Sequence, residues 1–437
     1  MTSEADMHRA VRHNDSGQQD DATIERSAYL WNTASGLLNA FQSVIMLTVL
    51  THVCDMVTAG VFTLAYANAN LFLNVGKYGI RNFQVSDVDE KYDFRSYLVA
   101  RVISVAAMIV GGCAWLAWSA ITVGYSLEKT LTVLMMLIFK AIDALEDVFH
   151  GNYQQHGRLD VGAKVLTLRM LTMIVLYAGL IVATRSLLLS LTATTVFTGI
   201  FFVAETLWAR RRFGLPTSGS AQIKHGRAAL HHAGELLRES FPVFLATFLL
   251  FYIGNAPKYA IDVAMDDTAQ AYYGFIAMPV FVVGLLAGFI YNPIIASLAE
   301  NWAEGKHDVF ARRFAVQVLV IAIITLACIA GAWLLGVPVL SLLYNAELEP
   351  YKIDLVVLLV GGGFLAMATL FTTGITIIRW QSKLTLGYVV VALLALVSSP
   401  MVVGAAGIDG ASWVYLALMA LLTAWFGIVF ALGIKRA

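Results

Sequence analysis

The chain has 437 residues, of which 59% are hydrophobic and 13% are charged, and its formal net charge at neutral pH is +0. Soluble domains usually carry about 25% charged residues, so this composition predicts a polytopic membrane protein and excludes an ordinary soluble enzyme. The balanced charge argues against a nucleic-acid-binding protein. The sequence has no phosphate-binding glycine motif and no zinc-type spacing, so neither a cofactor nor a metal is predicted.

The amino-terminal segment, residues 1–32, is polar and of mixed charge. It lacks the basic start, short apolar core and cleavage site of a removable signal peptide. We therefore expect a disordered cytoplasmic tail, followed by an apolar run that stays in the protein as a membrane anchor.

Twelve segments are apolar and long enough to be membrane spans, since a spanning helix needs about 20 mostly apolar residues. All should be helices, because open strand edges cannot face lipid. The fold class predicted is all-α, with about twelve transmembrane helices. The segments are 33–53, 59–77, 97–120, 127–148, 162–184, 187–208, 241–262, 270–292, 313–335, 354–378, 384–403 and 411–433.

The basic residues set the orientation. With both termini inside, most of the 29 Lys and Arg residues fall on the inner side. Lys129, Arg185, Lys258 and Lys352 fall at or near the outside. This asymmetry follows the positive-inside rule and predicts cytoplasmic termini.

The longest inner loop, residues 209–240, divides the chain into two six-helix lobes, 33–208 and 241–437. Its apolar residues share one helix face with basic residues around them, which favours an amphipathic linker on the inner membrane surface. The adjacent His231 and His232 lack further ligands, so a solvated pair is favoured over a metal or pH-sensing site.

Polar residues form a stripe on the second span. Asn70, Asn74, Lys77 and Arg81 lie within about 60° of arc on a helix. Such a stripe should face protein or water rather than lipid. It either lines a cavity or only pairs with neighbouring helices.

The fourth span carries a second stripe, Lys140, Asp143, Glu146 and Asp147, within about 120° of arc. Ionisable residues inside a membrane are functional candidates by default. The alternative is that these residues only hold the helices together. On the sixth span, Glu205 is expected to pair with Arg210 or its neighbours.

The segment NAPKYAID, residues 255–262, ends the seventh span with Lys258 and Asp262 four residues apart. This spacing lets the two side chains pair along one helix face. Lys258 is then either a substrate contact or a lysine that reaches the outer interface beside an aspartate.

A pattern in residues 60–103 resembles that of polysaccharide flippases, the lipid-linked-oligosaccharide exporters of the multidrug/oligosaccharidyl-lipid/polysaccharide (MOP) exporter superfamily. Two further stretches add to the resemblance: residues 140–160, and NAPKYAID, where the family often has arginine in place of Lys258. The matching positions in 60–103 are Gly60, Phe62, Leu64, Gly79, Arg81, Ser86, Asp87, Tyr92, Phe94, Tyr97 and Arg101.

The resemblance implies two six-helix lobes around a central cavity in the cytoplasmic (inner) membrane. It implies that the protein flips an undecaprenyl-diphosphate-linked oligosaccharide to the outer leaflet by alternating access, for cell-surface polysaccharide biosynthesis. The expected partners are this lipid-linked substrate, membrane lipid and other polysaccharide-assembly proteins, with no nucleic acid. Expected substrate contacts are Lys77, Lys140, Lys258, Arg81, Asn70 and Asn74, and coupling-ion candidates are Asp143, Glu146, Asp147 and Asp262.

Two other functions stay open. A proton- or sodium-coupled exporter of small molecules on the same architecture would use the carboxylates of the fourth span. A membrane-embedded glycosyltransferase is less favoured, because the predicted outer loops are short. With no covalent chemistry expected, the protein is predicted not to be an enzyme.

Overall fold

The computed structural model describes residues 4–87, 89–213 and 226–436, and side chains from residue 27 onward except at 213 and 226–227. Within these ranges the chain is built from helices joined by short turns and contains no strand. The protein is an all-α polytopic integral membrane protein, as its hydropathy predicts. The α-helices are α1 (Glu4–Val53), α2 (Met56–Lys77), α3 (Ile80–Ser86), α4 (Phe94–Ser119), α5 (Leu127–Gln155), α6 (Leu159–Thr184), α7 (Leu187–Phe213), α8 (Gly226–Ala264), α9 (Asp267–Ala277), α10 (Val280–Tyr291), α11 (Ile295–Ala303), α12 (His307–Gly331), α13 (Val337–Tyr344), α14 (Lys352–Ile377) and α15 (Ser382–Arg436).

Ten helical segments of the described chain are long and apolar enough to cross a membrane. Helix α5 is not among them, because every stretch of it long enough to span carries several charged residues. Helix α15 counts once but contains a kink at Gly407, where φ is 62° and ψ is −136°. The positive φ at Gly407 favours glycine, which explains why the kink falls at this residue. When α5 and both arms of α15 are counted, helices cover all twelve segments that the sequence predicts.

Two sequence expectations differ from the structure at the ends of helices. Helix α1 begins at Glu4, so the described part of the expected disordered tail is helical.

The amphipathic part of the linker belongs to α8, which continues through Pro242 and Pro257 into the seventh span. Residues 214–225 of the linker lie outside the described residues. Ala233 and Leu236 are fully buried against Tyr92 and residues of α3, α4 and α5, so this face packs on protein instead of lying on the membrane surface as expected.

The chain separates into two compact units. Unit 1 contains Met1–Met46, Val75–Gly111 and Met135–Phe241, and unit 2 contains Leu47–Asn74, Gly112–Leu134 and Pro242–Ala437. Several helices contribute one end to each unit, so the units cut across the boundaries 33–208 and 241–437. The division into two six-helix lobes stays a prediction.

Candidate functional site

Unit 1 contains a buried ion cluster that joins α5 to α6. Arg169 of α6 is 1% exposed, and its Nη1 and Nη2 lie 2.9 Å from Asp143 Oδ1 and 2.6 Å from Glu146 Oε2. Lys140 Nζ lies 3.0 Å from Asp143 Oδ2 and donates to Gln42 Oε1 of α1 at 3.2 Å. We call Lys140, Asp143, Glu146 and Arg169 the α5–α6 cluster.

The α5–α6 cluster explains how charges stay inside this part of the protein. A buried charge is tolerated only when a partner and hydrogen bonds replace its hydration. Lys140, 2% exposed, has its ammonium group held by Asp143 and Gln42. As a substrate contact, which stays a prediction, Lys140 would have to exchange these partners.

Asp147 belongs to the same stripe on α5, but it pairs with cations outside the α5–α6 cluster. Its Oδ2 lies 2.7 Å from Arg101 Nη2, and its Oδ1 lies 3.4 Å from Arg81 Nη1. Arg101 is fully buried and also donates to the carbonyl of Gly76 at 2.8 Å. Arg81 donates to Gln154 Oε1 at 2.9 Å. Both oxygens of Asp147 are therefore already in ion pairs.

Several residues of the family-like pattern stabilise the loop after α3. The carboxylate of Asp87 accepts hydrogen bonds from the backbone N–H groups of Lys91 at 2.8 Å and Tyr92 at 3.0 Å, and from the Tyr97 hydroxyl at 2.8 Å. Gly79, with φ of 70°, makes the left-handed turn into α3. In the described structure these residues stabilise turns. The family-like pattern is therefore stronger evidence for the fold than for the substrate.

Lys91 extends this loop network toward α8. Its Nζ lies 3.2 Å from Glu239 Oε1 and 4.6 Å from the ring centre of Tyr92. Hydrogen bonding to Tyr92 raises the pKa of Lys91, and hydrogen bonding to Glu239 raises it further. The pair is exposed to solvent, so its contribution to stability is small.

The stripe on α2 behaves differently from that on α5. Asn70 and Asn74 donate their side-chain N–H groups to carbonyls one turn earlier, Tyr66 O and Asn70 O, each at 2.8 Å. These bonds leave their amide oxygens available as acceptors. Lys77, partly buried, makes no ion pair or hydrogen bond among the described residues.

Lys258 does not pair with Asp262, which corrects the expected contact within the helix. Lys258 is only partly exposed on α8 and makes no hydrogen bond or ion pair within the described part of the chain. Two tyrosines stack close to it on the same helix, Tyr252 and Tyr259, with ring centres 6.0 Å apart. The lysine is thus a cation in an apolar span with no counter-charge from the part of the chain that the structure describes, whether or not it contacts substrate.

Asp262 belongs instead to a polar cluster within unit 2. Lys129 Nζ lies 2.9 Å from Asp262 Oδ1 and 2.6 Å from Asp267 Oδ1, and the Tyr125 hydroxyl donates to Asp262 Oδ2. Burial and the nearby carboxylate raise the pKa of Tyr125, so it donates as a neutral phenol. We call Tyr125, Lys129, Asp262 and Asp267 the Lys129 cluster; it joins the start of α5 to the end of α8 and the start of α9.

Backbones approach closely beside the Lys129 cluster. A Cβ atom built on Gly60 of α2 would lie 1.7 Å from the carbonyl oxygen of Asp267. One built on Gly274 of α9 would lie 2.6 Å from the side chain of Thr63. No larger side chain fits at Gly60 unless α2 and α9 separate.

Sequence reasoning missed several partners of the predicted residues. Arg169 and Lys129 enter the sequence analysis only as basic residues assigned to a membrane side, and Asp267 does not enter it. Glu205 does not pair with Arg210 in the described structure; one of its carboxylate oxygens lies near Glu146 and His150. The signal for Arg169 would have been a basic residue inside the fifth predicted apolar segment, 162–184.

No protein-family model and no curated protein matches this sequence. Solved structures do match its fold. An inward-facing multidrug resistance MATE family transporter of the MOP superfamily has a TM-score of 0.66 at 13% identity, covering 91% of this chain and 94% of its own. The lipid II flippase MurJ, in an inward closed conformation, has a TM-score of 0.67 at 11% identity, with 93% and 87% covered.

A third structure, a MOP superfamily transporter from Pyrococcus furiosus described as having a binding pocket of reverse polarity, has a TM-score of 0.51 at 12% identity. It covers 95% of this chain and 95% of its own. The chain therefore has the fold of these transporters. Because the structures that share the fold include both a lipid flippase and multidrug transporters, the fold does not indicate the substrate.

Proposed function

We propose that the protein is a transporter of the cytoplasmic (inner) membrane that flips an undecaprenyl-diphosphate-linked oligosaccharide to the outer leaflet by alternating access, for cell-surface polysaccharide biosynthesis. The observation that supports this most is Lys258, a cation within a membrane span that has no counter-charge among the described residues. The fold shared with a lipid II flippase agrees with a lipid-linked substrate.

A lone lysine in hydrocarbon is costly, so it needs water or an anionic ligand nearby. A diphosphate would provide that counter-charge, and the bulky glycan would require a wet, polar path. Lys77 makes no hydrogen bond or ion pair of its own among the described residues, but its charge acts on Asp147 and Asp143. Lys140 and Arg81 are held by carboxylates or amides. Among the proposed substrate contacts, Lys258 is thus the primary diphosphate ligand, and Asn70 and Asn74 offer amide oxygens to sugar hydroxyls.

The other parts of the proposal follow from this role. Moving a lipid headgroup breaks no covalent bond, so the protein acts as a transporter and not as an enzyme. Its partners are the lipid-linked substrate, the surrounding lipid and other polysaccharide-assembly proteins.

We expect Lys258→Gln to lower the flipping rate by about tenfold or more, because a diphosphate ion pair in a poorly hydrated site is worth more than about 1.4 kcal/mol. Lys258→Arg keeps the charge and should retain most activity. The rate is measured in proteoliposomes with a fluorescent lipid-linked saccharide. Lys383→Gln, which removes an exposed lysine of the same unit, is the matched control.

Normal flipping by a folded Lys258→Gln protein would contradict the role of this lysine. Equal loss in Lys258→Arg would show that the site needs the lysine's shape and not its charge. Gel filtration and thermal unfolding of each variant separate loss of transport from loss of fold.

The second candidate function is export of small molecules coupled to protons or sodium ions. One observation favours it: Glu146 Oε1 is buried and its one close partner in the described structure is His150 Nε2 at 3.2 Å, a group that can exchange a proton, whereas Oε2 is held by Arg169. Asp143, Asp147 and Asp262 are all engaged by cations, so a coupling ion would have to displace them. Dye efflux driven by a pH or sodium gradient, without flipping of lipid-linked saccharide, would favour this function.

A further inference from the structure

Glu146, His150 and Glu205 converge at one point within unit 1. Glu146 and His150 lie four residues apart on α5, so their side chains share a face, and Glu146 Oε1 lies 3.2 Å from His150 Nε2. Glu205 approaches from α7. One ligand atom from each residue lies within 4.8 Å of the other two.

The atoms that converge are buried and have few partners. Glu146 is 2% exposed and His150 is 6% exposed. Glu146 Oε1 and His150 Nε2 contact each other at 3.2 Å and make no other hydrogen bond among the described residues, and Glu205 Oε2 is buried without one. Leaving a buried polar atom unsatisfied costs about 1–3 kcal/mol, so a ligand that bonds to all three atoms would stabilise this point.

The chemistry of the three side chains fits a divalent transition metal. One imidazole and two carboxylates are typical ligands of Zn²⁺, with bonds of about 2.0–2.2 Å. Tetrahedral bonds of that length place ligand atoms roughly 3.3–3.6 Å apart. The Glu146–His150 distance of 3.2 Å is already close to this. Rotation of the Glu205 side chain would bring its carboxylate oxygen to a similar distance from the other two ligand atoms.

The surrounding charges support a cation at this point. Two carboxylates so close together repel each other, and a divalent ion would neutralise both. Arg169 already holds Glu146 through Oε2 at 2.6 Å, which orients Oε1 toward His150. Its other arm lies 2.9 Å from Asp143, so its charge is shared with a second carboxylate. Partners of this kind fix the orientation of metal ligands in known sites.

We infer that Glu146, His150 and Glu205 bind one divalent transition-metal ion of the Zn²⁺ class, which ties α5 to α7. The inference does not depend on which substrate the protein moves. It differs from the sequence-based expectation of no metal, because Glu205 lies far along the chain from the other two residues and spacing alone does not group it with them.

A second group of possible ligands provides the control. His231, His232 and Glu235 lie near one another on α8. His231 and Glu235 are largely exposed, and their closest ion-pair atoms are 3.6 Å apart. No buried atom of this group lacks a hydrogen bond in the described chain. It should bind metal only weakly.

The test is metal binding by the purified full-length protein in detergent. After treatment with a chelator, the protein is dialysed against Zn²⁺, and bound metal is measured by mass spectrometry. We expect one tightly bound equivalent in the wild type and in the double variant His231→Ala/His232→Ala. Glu205→Gln and His150→Gln should each weaken binding by about tenfold to a hundredfold or more.

Replacement with Co²⁺ gives a second readout on the wild type alone, because a four-coordinate site with nitrogen and oxygen ligands gives intense visible absorption. Stoichiometric binding with this spectrum would support the site. Lack of bound Co²⁺ or Zn²⁺ in the wild type would overturn it. Binding that survives in folded Glu205→Gln, or that disappears in the His231→Ala/His232→Ala variant, would also overturn it.

Discussion

Replacing Arg101 with leucine should lower the free energy of unfolding by about 3–5 kcal/mol, because the change removes one partner of a buried ion pair. Asp147 would lose its shortest contact, 2.7 Å, and keep only Arg81 at 3.4 Å. The carbonyl of Gly76 would lose one of its donors as well.

The measurement is thermal or denaturant unfolding in detergent micelles. Arg95→Leu is the matched control, since Arg95 lies on the same helix but is exposed and should change stability by less than about 0.5 kcal/mol. The double variant Arg101→Leu/Asp147→Leu should be more stable than Arg101→Leu alone, because no unpaired charge stays buried. A double variant as unstable as the sum of its singles would show that Arg101 acts through packing and not through Asp147.

The sequence predicted which residues of α5 share a face better than it predicted their partners. Periodicity alone places Lys140, Asp143, Glu146 and Asp147 on the protein-facing side, and the structure confirms that all four make buried contacts. Their partners come from α1, α3, α4 and α6. Such pairings depend on how helices pack, which one sequence does not reveal.

Lys258 shows where a local rule failed. The spacing of four residues favours a pair with Asp262, and such a pair is worth about 0.2–0.5 kcal/mol on an exposed helix. The structure instead pairs Asp262 with Lys129, 133 positions earlier in the chain. A buried contact with additional hydrogen bonds outweighs a local one, and Asp267 and Tyr125 provide those here. The span and its charge were predictable, whereas the partner was not.

The boundaries of the helices show the same limit. Hydropathy located all twelve apolar segments, since length and composition decide whether a helix can cross a bilayer. It could not show that the linker face of Ala233 and Leu236 packs on the inner-loop tyrosines. An apolar helix face predicts burial, and whether lipid or protein buries it depends on tertiary packing.

Lys129→Gln should release the contact between α2 and α9 within unit 2. The change leaves the carboxylates of Asp262 and Asp267 without their shared cation, so they repel each other at the junction of α8 and α9. We expect this to raise the exposure of Thr63, which is 4% exposed and packs against Gly274. In the proposed alternating-access cycle, the Lys129 cluster would keep the contact between α2 and α9 closed.

The measurement uses a Thr63→Cys probe in a background in which Cys54, Cys113 and Cys328 are replaced by alanine. Labelling by a membrane-impermeant maleimide should accelerate by roughly tenfold or more in Lys129→Gln, in proportion to the population in which the contact is open. Lys306→Gln is the matched control, because Lys306 pairs with Glu304 at 2.7 Å on an exposed surface. An exposed pair contributes little, so labelling should stay unchanged.

Gly60→Ala tests the same contact without removing a charge. The added Cβ would lie 1.7 Å from the carbonyl oxygen of Asp267, so α2 and α9 must separate to accommodate it. Labelling of the Thr63→Cys probe should therefore accelerate as in Lys129→Gln, while the unfolding temperature reports whether the protein stays folded. If the glycine variant accelerates labelling and the lysine variant does not, close packing holds the contact and the Lys129 cluster does not. Unchanged labelling in both folded variants would contradict the proposed closure by either means.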